Sequence, residues 1–269
     1  MADKKKRGIA MSDFKSISEL KREAKDLLDG RWKDAILLNL SAVLVIWVVI
    51  FAIIGFGYLL FEFMNLWSNP MTHSGTTYMS GENYTSGGGG SSGGIFSTLL
   101  SVGIMYTFID WHRNPSMEIR PLKDAFQVFS RKYFLPVTII TFLMGMFTFF
   151  WSLLFVVPGI IKAFAYSQAP YIYKDLSSNP DIKPPTALES ITESRQLMDG
   201  HKMRYFMLEW SFIGWMILSV FTFGIGFIWL IPYMNATNAA FYNDLAQKRY
   251  RLDANEVDEK AANEWMNDW

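Results

Sequence analysis

Cysteine is absent from the 269 residues, and histidine occurs only three times, at His73, His112 and His201. Without cysteine the chain can form no disulfide, no thiolate metal site and no cysteine nucleophile. The three histidines are widely separated, and the sequence has no zinc-protease, nucleophile-elbow or phosphate-loop motif. These absences argue against an enzyme, and we expect neither a cofactor nor a metal site.

Charged residues are also scarce, at 19% of the sequence against the roughly 25% that is usual in soluble domains. The formal net charge is zero, so the charge balance gives no reason to expect nucleic acid as a partner. Between residues 36 and 61 there is no charged residue at all. An apolar run of about 18 residues or more predicts a transmembrane helix.

Further apolar segments extend this prediction to about six membrane crossings in an all-α fold. With a cytoplasmic N-terminus, every lysine and arginine except Lys162 and Lys174 lies on the cytoplasmic side, as the positive-inside rule requires. The outer loop 64–94 is rich in glycine and serine, so we expect it to be flexible. We therefore predict a multi-pass plasma-membrane protein with both termini in the cytoplasm. The predicted spans are 36–63, 95–110, 134–157, 158–174, 205–222 and 225–246.

Two phrases 170 residues apart, LLDGRW at 27–32 and LMDGHK at 197–202, are nearly the same. Each follows a segment with the Ser/Thr-x-x-Glu pattern of a capping box, which predicts a helix start. Each has an Asp-Gly pair where the helix should stop. Between start and stop, apolar residues recur at helical spacing, which predicts a short amphipathic helix at the membrane interface. The matching residues are Ser16, Glu19, Asp29 and Gly30 in the first copy and Thr186, Glu189, Asp199 and Gly200 in the second.

A weaker third copy begins at Pro121, which is favoured as a first helical residue. The membrane segments also share a closing Tyr-x-Asp-Leu, at residues 173–176 and 242–245. We therefore predict three units, each an interfacial helix followed by a helical hairpin. The predicted boundaries are 1–15 for a basic cytoplasmic tail, 16–110, 111–176 and 177–247 for the units, and 248–269 for a second cytoplasmic tail.

Three stretches of the sequence resemble the signature blocks of a known family. They are VPGIIKAFAYSQAPYIYKDL, ALESITESRQLMDGHKMRYFMLEWSFIGW and IPYMNATNAAFYNDL. In combination they are similar to the domain-of-unknown-function 975 family, integral membrane proteins of Gram-positive bacteria, over roughly residues 15–250. The resemblance implies a polytopic plasma-membrane protein and implies no reaction or ligand for any residue.

A few polar residues lie inside the predicted spans, where polar groups are costly and usually face a bundle interior or a wet cavity. Glu209 overlays Asn39 at the shift of 170, and we expect these two to line a polar pocket between the first and fifth spans. The alternative is that such residues only hold helices together through hydrogen bonds. The further candidate contact residues are Gln168, Asn235, Thr237, Asn238 and Lys162, of which Lys162 is expected to reach the outer headgroups.

Two kinds of function fit this pattern. The interfacial helices and the lack of catalytic motifs favour a non-enzymatic membrane protein that binds a lipid, an amphipathic peptide or a partner membrane protein. The alternative is a transporter or channel-like protein with a pathway between the hairpins. A transporter usually places ionisable groups near the membrane midplane, and no charged residue of this sequence lies firmly there.

Overall fold

The computed structural model describes residues 14–68, 92–178 and 183–267. Throughout these residues the regular secondary structure is helical and contains no strand, which confirms the predicted all-α class. In chain order the helices are α1 Ile17–Leu28, α2 Trp32–Ser68, α3 Ser92–Arg113, α4 Pro121–Ala125, α5 Phe134–Leu154, α6 Val156–Tyr166, α7 Ala169–Ser178, α8 Ala187–Leu197, α9 Lys202–Trp210, α10 Ile213–Phe221 and α11 Phe227–Asn267.

Helices α1 and α8 begin with the capping boxes that the sequence predicts. In α1 the Ser16 hydroxyl accepts from the backbone N–H of Glu19, and the Glu19 carboxylate accepts from the backbone N–H of Ser16. The same exchange joins Thr186 and Glu189 at the start of α8. Each box supplies partners for backbone N–H groups that a helix start otherwise leaves free.

The glycines at the two predicted helix ends adopt the left-handed backbone conformation that favours glycine. Gly30 follows α1 with a φ of 69°, and Gly200 follows α8 with a φ of 77°. Residues with a Cβ atom rarely adopt this left-handed region. Asp29 is the residue that caps α1, and Asp199 precedes Gly200 and lies 3.6 Å from the Lys202 ammonium. Pro121 is the first residue of α4, as predicted.

Among the described residues, two helices are long and apolar enough by themselves to cross a membrane. They are Trp32–Met64, within α2, and Phe134–Leu154, which is α5. Only 18% and 11% of their most apolar windows are buried inside the protein. A core helix of a soluble protein is mostly buried, so these two helices differ from that class. These two helices correspond to two of the six predicted crossings.

Two of the predicted spans are interrupted where the sequence analysis treats them as continuous. The segment 158–174 breaks at Ser167 and Gln168, and the segment 205–222 breaks at Ser211 and Phe212. At the first break the hydroxyl of Ser194, from α8, accepts from the backbone N–H of Gln168 and donates to the Ala165 carbonyl. A side chain distant in sequence therefore supplies hydrogen-bond partners for the backbone groups that the helix break leaves unpaired. The periodicity of apolar residues in the sequence cannot predict such a contact.

Other predicted boundaries also shift. The predicted outer loop 64–94 is shorter than expected, because α2 continues to Ser68 and α3 begins at Ser92. Apolar residues after Phe63, including Leu66 and Trp67, extend the helical sequence. Residues 69–91 of that loop and residues 1–13 of the basic tail lie outside the described part. The predicted C-terminal tail 248–269 continues α11 as a helix through Asn267.

Two tight hairpins have the same contact at their turns. Between α5 and α6, a Cβ added at Gly159 would come within 2.9 Å of the Ser152 Cα. Between α10 and α11, a Cβ added at Gly226 would come within 2.9 Å of the Ser219 Cα. In both hairpins a serine is therefore followed seven residues later by a glycine whose lack of a side chain lets the two helices approach.

Two of the short helices pack against helices that precede them in the chain, and the third packs against helices that follow it. Helix α4 packs against α2 and α3, and α8 packs against α5 and α7. Helix α1 packs against α11 and α9, from the last hairpin of the chain. The main core lies where α1, α2, α3 and α11 meet, and its largest fully buried side chains include Trp111, Tyr242 and Phe212.

Candidate functional site

Asn39 and Asn235, two of the predicted site residues, contact each other directly. The Asn235 Nδ2 donates to the Asn39 Oδ1 at 2.9 Å, and the Asn39 Nδ2 donates to the Ala35 carbonyl at 2.8 Å. Both residues line a cavity of about 380 Å³ among α2, α3 and the start of α11. Apart from these amides and the side chains of Ser97 and Ser101, the cavity wall is apolar.

Glu209 does not line this cavity, and the Asn39 Oδ1 accepts its hydrogen bond from Asn235. Glu209 lies on α9 beside the rings of Tyr205 and Tyr171. Its Oε1 atom is buried and has no hydrogen-bond partner among the described residues. Asn39 instead faces α11.

The other predicted residues are separate from one another. Gln168 is buried at the α6–α7 break, and its Nε2 donates to the Ser167 hydroxyl at 2.8 Å. The Lys162 ammonium lies 4.6 Å above the Trp151 ring, across the α5–α6 hairpin. Thr237 donates to the Tyr233 carbonyl within α11, and the buried Asn238 Oδ1 has no partner in the described part of the chain. These residues form no common site.

The Tyr-x-Asp-Leu motifs have a structural role that the sequence did not reveal. Asp175 accepts from the Arg113 Nη1 and Nη2 at 2.7 and 2.8 Å, and from the Tyr242 hydroxyl at 2.6 Å. The Arg113 Nε also donates to the Asn243 Oδ1 at 2.8 Å. A bidentate ion pair of this kind fixes the relative orientation of the two side chains in addition to pairing their charges. Together with the contact of Tyr242, it connects α3, α7 and α11.

The aspartate of the second motif is paired in the same way. Asp244 has a side chain only 2% exposed, and its Oδ2 lies 2.6 Å from Nη2 of Arg204 on α9. Its Oδ1 lies 2.9 Å from the Lys248 ammonium, and the backbone N–H of Lys15 donates to Oδ2 at 3.2 Å. Together with the 2.6 Å pair of Lys174 and Asp110, these contacts form what we call the paired network.

A second cavity, of about 670 Å³, is not predicted from the sequence. It lies between α1 and the α10–α11 hairpin, and we call it the α1 cavity. Its wall is mostly apolar, and the hydroxyl groups of Ser219 and Thr222 lie near the hairpin turn. The lining comes from Ser18, Lys21, Arg22, Lys25 and Trp32 at one end, and from Trp215, Leu218, Ser219, Thr222, Gly226, Trp229, Leu230 and Tyr233 along the hairpin.

Three cations of α1 stand at one end of this cavity, and we call them the basic face. They are Lys21, Arg22 and Lys25, and none of them forms an ion pair with a carboxylate of the described residues. The Lys21 ammonium donates to the Ser211 carbonyl at 3.3 Å and lies 4.3 Å above the Phe212 ring. The Lys25 ammonium lies 5.8 Å from the centre of the Tyr233 ring.

Burial lowers the pKa of Lys21, and the neighbouring charge of Lys25 lowers it further. Both causes reflect a cation that is partly removed from water and lies beside another cation. A negative charge placed between the two side chains would oppose both effects. The geometry at this end of the cavity therefore favours an anion.

A signal for this site is present in the sequence, but it is weak. Leu20, Ala24 and Leu28 predict the buried face of α1, and the spacing of Lys21 and Lys25 places both on another face. Nothing local indicates that the partner of that face is a hairpin about 190 residues later. The described residues contain no group of three or more histidine, aspartate or glutamate side chains that could hold a metal ion.

Comparison with known proteins gives a family for the chain. No curated protein and no solved structure matches it. One family model, described as protein of unknown function DUF975, matches residues 11–163 and 153–249. These ranges contain the capped helices, both tight hairpins and the α1 cavity. The match covers well over half of the sequence, and the chain therefore belongs to the DUF975 family.

Proposed function

We propose that this protein is a non-enzymatic integral membrane protein that binds a lipid of the surrounding bilayer. The observation that carries the proposal is the α1 cavity, which has an apolar wall and a cationic end. A membrane lipid has the same division into an apolar chain and a polar head. Small-molecule sites of proteins have volumes of about 300–1,000 Å³, and the cavity falls in that range.

The exposed surface supports a membrane location. Large apolar side chains are exposed along α2, α5, α6 and α10. Apolar side chains at the two hairpin turns are exposed as well. Phe155 between α5 and α6 is 71% exposed, and Phe223 between α10 and α11 is 99% exposed. Soluble proteins rarely expose contiguous apolar patches of more than a few hundred Å². Lipid around these helices would remove the cost of that exposure.

The proposal includes six crossings, cytoplasmic termini and three repeated units. The distribution of basic residues supports the topology. The repeated units are supported by the two capping boxes, by the serine and glycine shared by the two tight hairpins, and by the packing of α4 and α8 on helices that precede them. In this arrangement α1, α4 and α8 lie near the cytoplasmic interface.

The transporter alternative is favoured by a different observation, the two helix breaks at Ser167–Gln168 and Ser211–Phe212. Transporters often bind substrates where membrane helices are interrupted. Here, however, a hydroxyl of Ser194 and the ammonium of Lys21 occupy the freed backbone groups. Uptake of a labelled solute into vesicles that contain the purified protein, above the rate of empty vesicles, would favour the transporter.

The membrane part of the proposal is tested by labelling, because the chain has no native cysteine. Single cysteines at Glu118, Asp199 and Ser86 are treated with a membrane-impermeant thiol reagent on intact cells. The cysteine at Ser86 should react, and those at Glu118 and Asp199 should react only after the cells are opened. Reaction of either cytoplasmic position in intact cells contradicts the proposed topology.

The binding part is tested by native mass spectrometry of the protein purified in a mild detergent. We expect lipid to remain bound at a fixed ratio to the protein, and to bind again when it is added to delipidated protein. A protein that retains no lipid and takes up none contradicts the proposed function.

A further inference from the structure

Lys21, a half-buried cation of the basic face, differs from the cations of the paired network, whereas Arg22 and Lys25 beside it are exposed. Arg113, Lys174 and Arg204 each lie within 2.7 Å of a carboxylate oxygen. Within the described residues, Lys21, Arg22 and Lys25 have no such partner, although Lys21 is partly removed from water. Three like charges within five residues repel one another, and an anion between them would relieve this repulsion. Within α1 itself an acidic neighbour of Arg22 is Glu19, whose pKa is lowered by its hydrogen bonds with Ser16 and further by the Arg22 charge.

The opposite side of α1 shows that the helix can pair its charges. Glu23 accepts from the Lys15 ammonium at 2.7 Å and lies 2.7 Å from the His112 Nε2. Glu23 therefore faces α3, whereas Lys21 and Lys25 face the hairpin through Phe212 and Tyr233. The cations of α1 that have no carboxylate within 4 Å in the described residues therefore lie on the side that borders the α1 cavity.

The cavity continues from these charges along the hairpin towards its turn. Helix α10 has nine residues, which corresponds to a length of about 14 Å. Trp215, Leu218 and Trp229 line this length and remain 51–58% exposed, so the cavity is open at the apolar surface. A chain from the surrounding bilayer can therefore enter from the side without passing through a polar region.

We propose that the α1 cavity binds an anionic glycerophospholipid of the cytoplasmic leaflet, with its phosphate at Lys21, Arg22 and Lys25 and an acyl chain along the α10–α11 hairpin. This inference rests on the proposed function and assigns the class of lipid and the residues that select it. The arginine can bind two phosphate oxygens at once, and the lysines add charge without fixed geometry. Tryptophan and tyrosine beside the headgroup match the usual position of these residues at membrane interfaces.

The shape of the cavity argues against the other occupants considered from the sequence. A helical peptide is about 10–12 Å wide with its side chains, too wide to insert beside α10 in a cavity of about 670 Å³. The headgroup of a zwitterionic lipid brings its own cation to the basic face, which offsets the attraction of its phosphate. An anionic headgroup adds no such cation, so it gains the full attraction.

The test uses the full-length protein in phosphatidylcholine vesicles. Either phosphatidylglycerol or phosphatidylcholine is added to these vesicles as the test lipid, in each case with brominated acyl chains. Bromine quenches tryptophan fluorescence on contact, and Trp32, Trp215 and Trp229 line the cavity. We expect the wild type to bind phosphatidylglycerol on the order of tenfold more tightly than phosphatidylcholine. The test variant is the triple substitution Lys21→Gln, Arg22→Gln and Lys25→Gln.

The chain offers a matched control with the same change in charge. Lys123, Arg131 and Lys132 are exposed cations outside the cavity. The triple substitution of these residues by glutamine should keep the preference for phosphatidylglycerol, whereas the test variant should lose it. An equal loss in both variants would assign the preference to overall charge and overturn the inference.

A further variant tests the apolar part of the site without touching the basic face. Leu218→Trp fills the cavity from a position that is 54% exposed, so the fold should tolerate it. It should weaken the binding of both lipids and reduce quenching by brominated chains. Binding of both lipids without discrimination by the wild type overturns the inference but leaves the proposed function standing. Binding of neither lipid overturns both.

Discussion

The paired network and the basic face of α1 contain the same kinds of charged side chain and use them differently. In the network, Asp175 and Asp244 are each surrounded by donors from two or more helices. On the basic face, Lys21, Arg22 and Lys25 have no carboxylate partner in the described residues. The two regions are neighbours, since the backbone N–H of Lys15, just before α1, donates to Asp244.

The difference separates charges that stabilise the fold from charges available to a ligand. A buried carboxylate with several charge-assisted hydrogen bonds cannot be neutralised without leaving its partners uncompensated. A group of unpaired cations can be neutralised with little loss, and removing their mutual repulsion can even stabilise the protein. Substitutions in the two regions should therefore affect stability in opposite directions.

The largest effect is expected for Asp244→Asn in the paired network. This change leaves Arg204, whose side chain is 10% exposed, with a buried charge and no carboxylate. Breaking one side of a buried pair costs about 3–5 kcal/mol of the free energy of unfolding. Chemical unfolding followed by circular dichroism in detergent measures the loss. A change below 1 kcal/mol would mean that the network does not stabilise the fold.

The next effect is expected at the hairpin turn beside the α1 cavity. In Gly226→Ala the new methyl group would lie 2.9 Å from the Ser219 Cα, so the two helices must move apart. Such overpacking costs about 1–3 kcal/mol. The control is Gly145→Ala in α5, where no atom lies within 4 Å of the added Cβ, and which should be neutral or slightly stabilising. Equal destabilisation by both variants would contradict the close hairpin packing.

A smaller and equal effect is expected at the two capping boxes. Ser16→Ala and Thr186→Ala each remove the hydroxyl that accepts from a backbone N–H at a helix start. Each should cost about 1 kcal/mol in the same unfolding assay. Thr186→Ser keeps the hydroxyl and should keep most of the stability. If only one of the alanine variants is destabilised, the two capped helices are not equivalent elements.

The smallest effect is expected from His201, beside the paired network. Burial lowers the pKa of His201 below its usual 6.5, and the nearby Arg204 charge lowers it further. The unfolded chain therefore binds a proton more readily than the folded one, so stability is complete above pH 6.5 and falls as the pH decreases below it. His201→Asn should reduce this fall between pH 7 and pH 5. An unchanged pH dependence would exclude His201 as a contributor.

Local features of the fold could be predicted from the sequence because neighbouring residues determine them. The capping boxes at Ser16 and Thr186 and the stops at Gly30 and Gly200 depend on backbone groups within a few residues. These positions agree with the prediction almost residue for residue. The family resemblance was equally accessible, since it rests on contiguous blocks of sequence.

Features that depend on distant partners could not be predicted in the same way. The break at Gln168 needs the hydroxyl of Ser194, and Asn39 pairs with Asn235 rather than Glu209. Both contacts follow from how whole helices pack against each other. An alignment of two similar sequence segments does not determine this packing. The α1 cavity is a further case, because its basic end and its apolar wall are about 190 residues apart.

The most direct test of the division between the two regions is the shift in thermal unfolding caused by phosphatidylglycerol. A ligand that binds only the folded state raises the unfolding temperature. Delipidated wild type and Asp244→Asn should both show this shift, the second from a lower starting temperature. The Lys21→Gln, Arg22→Gln, Lys25→Gln variant should start at or above the wild-type temperature and show no shift. A lower starting temperature for that variant, or a shift as large as that of the wild type, would contradict the account.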